Sequence, residues 1–102
     1  MQAIITENRE KIVELCRAHH VRRLSVFGSA VRDDFDSERS DVDLLVEFER
    51  FDDSSPLGTY FRLQEALEEV FEQKVDLIEA GSVRNPYIQH AIERDEKTLY
   101  AA

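Results

Sequence analysis

Cysteine is nearly missing from this chain. Cys16 stands alone among 102 residues, which excludes an intramolecular disulfide and a cysteine-built metal cluster and makes a reducing cytoplasm the default compartment. Long apolar runs are absent, none approaching the ~20 residues of a membrane span. The N-terminus lacks a basic-then-apolar signal pattern. Positive charge is scarce: 13 bases stand against 22 acids, for a net charge of -9. A chain so poor in bases lacks the footprint of a general nucleic-acid binder. The same balance suits cation binding and a basic protein partner. There is no internal repeat and no low-complexity segment. The length fits one domain, and an apolar content of 42% supplies one core.

What is present reads as alternating helices and strands. Residues 6–19 place Ile12, Leu15, Cys16 and His19 at helical spacing, with Thr6 or Asn8 as cap. His19-His20 read as the helix end, where histidine favours the dipole. Residues 22–27 read as a first strand ending at Gly28, and 29–34 as a short helix. Residues 41–48 give the clearest strand: Val42, Leu44, Val46 and Phe48 on one face, Asp41, Asp43, Leu45 and Glu47 on the other. The only two prolines, Pro56 and Pro86, each follow a capping residue, Ser55 and Asn85, and so mark helix starts. The helix from Pro56 is expected to bury Leu57, Tyr60, Phe61, Leu67, Val70 and Phe71. Residues 74–79 read as a third strand, Ile88 and Ile92 as part of a last helix, and 98–100 as a short edge strand. The order is α-β-α-β-α-β-α. If the polar motifs form one site, strands one and two run antiparallel. The helical crossover from strand two to strand three fits a parallel pair. The fold class is therefore α/β (α+β), a small mixed sheet flanked by helices.

The chemistry concentrates between Gly28 and Asp43. Gly28-Ser29 closes the apolar run Leu24-Ser25-Val26-Phe27, and Ser40-Asp41-Val42-Asp43 opens the run Leu44-Leu45-Val46. Glycine lets a phosphate approach the backbone, and the serine hydroxyl adds a further donor. Arg32, about one turn on, either meets a phosphate or pairs with Asp33 or Asp34. Asp41 and Asp43, two apart on a strand, project from one face, where like charges need a cation or full solvation. A wet strand end remains the plain alternative. Asp76 stands mid-strand between Val75 and Leu77; beside strand two it faces the same side. Three such carboxylates suit two magnesium ions in nucleotidyl transfer.

Taken together, Phe27-Gly28-Ser29, Arg32, Ser40-Asp41-Val42-Asp43-Leu44-Leu45-Val46, Lys74-Val75-Asp76-Leu77-Ile78, and Arg84-Asn85-Pro86-Tyr87 through Leu99-Tyr100 resemble the minimal nucleotidyltransferases of the DNA-polymerase-β superfamily. The resemblance covers nearly the whole chain and implies a single nucleotidyltransferase domain over residues 1–102. It implies the polymerase-β-like fold and use of ATP with two Mg2+ ions. Many small members are antitoxins that transfer AMP to a tyrosine of a helical HEPN ribonuclease toxin. By position, Gly28 and Ser29 would hold the β- and γ-phosphates, with Arg32 beside them. Asp41 and Asp43 would bind both metals. Asp76 would bind the metal nearest the attacking hydroxyl and help deprotonate it.

The absence of an added acceptor domain favours a protein substrate. Two alternatives stay open: a small-molecule nucleotidyltransferase of the aminoglycoside-modifying type, and an antitoxin that silences its toxin by contact alone. No direct nucleic-acid binding and no membrane association are expected. Two departures from the family pattern fall in one turn. Asp33 takes the place of the usual glycine, and the stretch Ala30 to Ser40 is one residue longer than the common pattern.

Overall fold

A computed structural model of the chain describes residues 3–31, 41–49 and 56–102. Arg32, Asp33, Ser40 and Ser55, to which the sequence assigns roles, lie outside the described residues. The elements are α1 (Ala3–Thr6), α2 (Arg9–Ala18), β1 (Val21–Phe27), a 3-10 turn (Gly28–Ala30), β2 (Val42–Phe48), α3 (Pro56–Phe71), β3 (Val75–Glu79), α4 (Pro86–Asp95) and β4 (Lys97–Ala101). The sheet order is β3-β2-β1-β4. β1 runs antiparallel to both β2 and β4, and β2 runs parallel to β3. The mixed sheet and both strand directions expected from the sequence are present.

Strand alternation builds the core. Leu24 and Val26 of β1, Val42, Leu44 and Val46 of β2, and Val75 and Leu77 of β3 are buried on one face. α2 covers them with Ile12 and Cys16, and α3 with Leu63, Leu67 and Phe71. Phe27 and Ile92 are buried but stand apart from this main cluster. Phe27 alternates with Val26, so it points to the other face, and α4 packs there against β1 and the 3-10 turn. Among the described residues that second face is otherwise open over β2 and β3.

Two helical expectations change. The N-terminal helix is broken: α1 ends at Thr6 and α2 begins at Arg9. Neither proposed cap works as one. The Thr6 hydroxyl donates back to the Ala3 carbonyl at 3.2 Å, and the Asn8 amide donates to the Ile4 carbonyl at 2.8 Å. Such back-bonding competes with capping, while fully buried Ile5 anchors the short α1.

α3 is rotated from its expected phase. Thr59, Leu63, Leu67 and Phe71 face the core, whereas Leu57 is 67% and Phe61 51% exposed. Tyr60 and Val70 only flank the core cluster. The apolar residues of α3 span more than one stripe, so its own pattern leaves the rotation open. The sheet chooses it. The Pro86 helix start holds as expected, with the Asn85 side chain accepting from the Tyr87 N–H at 2.9 Å.

Candidate active site

The open face of the sheet gathers the polar residues. In the β1–β2 ladder Phe27 is the partner of Asp43, and in the β2–β3 ladder Asp43 is the partner of Asp76. Asp43 is therefore the centre of the constellation, with the 3-10 turn on one side and Asp76 on the other. Asp43 is half-buried, and Asp76 and Asp41 are exposed. Asp41 immediately precedes β2 and falls on the Asp43 face by alternation.

Gly28 ties the turn to the carboxylate. Its φ of +74° is one that side-chain-bearing residues rarely adopt. A Cβ built there would run into the Asp43 carboxylate oxygen. Glycine at this position thus makes room for Asp43 as well as for any ligand. The turn closes with the Val31 N–H donating to the Gly28 carbonyl at 3.1 Å. Gly28 is buried, and Ser29 is half-buried at its rim. The structure brings Gly28, Ser29, Asp43 and Asp76 together at one end of the open face; Arg32 is outside the described residues.

The donor set can be weighed for a metal. Among the described residues no three carboxylate, histidine or cysteine groups form a ready-made cluster. Magnesium seldom uses an all-protein cage: it takes one or two carboxylates and completes its shell with water and substrate phosphates. Hard carboxylate oxygens, adjacent in register on an open face beside a glycine turn, fit that mode. His19 is no ligand candidate. Its ring Nδ1 contacts the Leu15 carbonyl at 2.8 Å at the end of α2. Arg84 is spent on its own loop, donating to the Gly81 and Val83 carbonyls at 2.9 and 3.1 Å.

Two features escaped the sequence reading. The first lies further along the same face. Arg23 donates to Glu96 at 2.8 Å and to the Thr98 hydroxyl at 3.1 Å, and buried Ser25 donates to Glu96 at 3.2 Å. Arg23, Ser25 and Glu96, with Leu45, Glu47 and Ala80, line a cavity of about 110 Å³. Its one legible signal was Ser25, a polar residue within an apolar strand. The second is Tyr60, whose hydroxyl donates to the Leu77 carbonyl. Burial first, and then the negative charges of Asp76 and Glu79, hold this phenol above its ordinary range. It therefore stays protonated and able to donate.

The chain as a whole has known relatives. The polymerase beta nucleotidyltransferase family matches residues 10–102. The chain belongs to that family. It is 35% identical over 91 residues to a Methanocaldococcus jannaschii protein named "Putative protein adenylyltransferase MJ0128", covering 89% of this chain and 87% of that one. It is also 35% identical over 85 residues to the protein adenylyltransferase MntA of Thermococcus cleftensis, covering 83% and 79% of the two chains. Among solved structures, one described as a "putative minimal nucleotidyltransferase" superposes with a TM-score of 0.74 at 32% identity over 95% of both chains. A second holds a tri-AMPylated HEPN toxin of Shewanella oneidensis with its MNT antitoxin. That fold matches with a TM-score of 0.64 at 21% identity, covering 96% of this nucleotidyltransferase and 73% of that chain. No helix among the described residues is long and apolar enough to cross a membrane.

Proposed function

We propose that residues 1–102 form one transferase domain that moves AMP from ATP onto a tyrosine of a HEPN ribonuclease toxin, silencing it as an antitoxin of the cytoplasm. One observation carries the chemical half: Asp43 stands in register with Asp76 and packs against Gly28. Relatives named protein adenylyltransferase, matched over most of both chains, support the choice of a protein acceptor.

Gly28 and Ser29 receive the β- and γ-phosphates: the glycine by leaving the backbone bare, the serine by its hydroxyl, with Arg32 as a further phosphate contact. Asp41, Asp43 and Asp76 would hold two magnesium ions, whose charge offsets the negative charge that builds on the phosphates. Asp76 lies on the acceptor side and takes the proton from the tyrosine hydroxyl. The tyrosine oxygen bonds to the α-phosphorus in line as the bond to the bridging oxygen breaks, and pyrophosphate leaves. The rate comes from alignment and charge neutralisation on the open face.

The test mixes the purified chain, ATP and Mg2+ with the partner protein and reads whole-protein mass. A gain of one or more AMP units on a partner tyrosine is expected. Asp41→Asn with Asp43→Asn removes the gain while circular dichroism stays unchanged. A silenced toxin with no added mass would overturn the enzymatic reading in favour of neutralisation by contact.

A further inference from the structure

β3 is the strand that carries Asp76, and among the described residues it is an edge strand of the sheet, five residues long and bonded to β2 on one side only. Backbone groups alternate in direction along a strand. The Lys74 carbonyl and the Ala80 N–H bond to β2, at 3.1 and 2.7 Å. Val75 and Leu77, which flank Asp76, therefore turn their groups to the outer edge. Nothing in the sheet meets them there.

Three side chains of α3 do. The Tyr60 hydroxyl donates to the Leu77 carbonyl. The Gln64 amide donates to the Val75 carbonyl at 3.1 Å, and the Glu68 carboxylate accepts from the Val75 N–H at 3.0 Å. These residues are spaced four apart and so form one stripe of the helix. Phe61 stands edge-on to the Tyr60 ring, with centroids 5.2 Å apart. The seam grips the backbone on both sides of Asp76 and leaves its carboxylate on the opposite, open face.

We propose that Tyr60, Gln64 and Glu68 are positioning residues: they act through the outer edge of β3 to hold Asp76 at working depth beside Asp43. The inference rests on the reading above, in which Asp76 is a working carboxylate. Buried Val75 and Leu77 fix the register of β3, but a strand bonded to the sheet on one side keeps more freedom for small displacements than one paired on both. A displacement near 1 Å at a reacting group lowers turnover by up to about a hundredfold. The seam removes that freedom from the outer edge of the strand.

The experiment uses the full chain with its partner, well below the unfolding temperature of every variant. Tyr60→Phe combined with Gln64→Leu should lower kcat about tenfold or more and leave the KM for ATP within about twofold. Mn2+ affinity, measured by calorimetry with a non-hydrolysable ATP analogue, should fall about fivefold, the size of one lost hydrogen bond. In an Asp76→Asn background the same pair should leave Mn2+ affinity unchanged. Glu68→Gln keeps an acceptor for Val75 and should behave as wild type, whereas Glu68→Leu should follow the double variant. An unchanged kcat with a lowered melting temperature would overturn the inference and leave only an edge cover. So would an equal loss of Mn2+ affinity with and without Asp76. Full activity of Asp76→Asn alone would overturn the carboxylate reading itself, and the inference with it.

Discussion

The sharpest consequence of the site is steric. Adding one methyl group at Gly28 should couple energetically to Asp43. Gly28→Ala incurs two costs. The first is the left-handed backbone at φ +74°, about 1–2 kcal/mol for a residue with a Cβ. The second is the collision of that Cβ with the Asp43 carboxylate. Overpacking of this kind costs about 1–3 kcal/mol if the site does not yield. Together they destabilise by about 2–5 kcal/mol. Asp43→Ala removes the colliding atoms and leaves only the Asp43 Cβ, 3.6 Å from the new methyl, an ordinary contact. In that background Gly28→Ala should cost only the backbone share, about 1–2 kcal/mol. The cycle of four proteins, followed by urea unfolding at pH 7, should therefore give a coupling of about 1–3 kcal/mol. Additivity within about 0.5 kcal/mol would refute the packing of turn against carboxylate, and with it the view that Gly28 serves Asp43 as well as phosphate.

The rotation of α3 gives a second test. Leu63 is fully buried and Leu57 is 67% exposed. Leu63→Ala should cost about 2–5 kcal/mol, and Leu57→Ala less than about 0.5 kcal/mol, by denaturant midpoint; comparable losses would contradict the assigned phase. A third concerns alkaline pH. Burial pushes the Cys16 thiol up from 9.0 to about 12. The folded value lies above the unfolded one, so this contribution is whole below about pH 9 and is lost as pH rises towards 12, on the order of 4 kcal/mol at most. Cys16→Ala should start less stable at pH 7 but lose less between those limits in urea titrations. Parallel pH profiles would show that Cys16 is not the titrating group.

The strands were legible because period-two alternation is written in adjacent residues. Val42 to Phe48 shows both its faces without a partner in view, and Asp76 between Val75 and Leu77 is conspicuous for the same reason. Helix starts at Pro56 and Pro86 were legible from local capping chemistry. Helix rotation was not. Leu57 and Phe61 look as apolar as Leu63 and Leu67, and only docking on the sheet, with Tyr60, Gln64 and Glu68 turned to the β3 edge, separates the two sets. The break between α1 and α2 was hidden for a related reason. Thr6 and Asn8 are good caps in isolation, but both back-bond to carbonyls of the preceding turn.

The sequence by itself determined the chemistry: which carboxylates exist, how many residues separate them from Gly28-Ser29, and which strand faces carry them. Those are short-range matters, settled by residue type and by the fixed alternation of a strand. Tertiary structure alone decided which of these groups meet. The β1–β2 register places Asp43 opposite Phe27 and against the bare Cα of Gly28. The β2–β3 register sets Asp76 beside Asp43. The edge position of β3 makes the bonds from α3 necessary. Register, edges and helix rotation depend on the energy of the packed whole, and no local stretch of chain contains them.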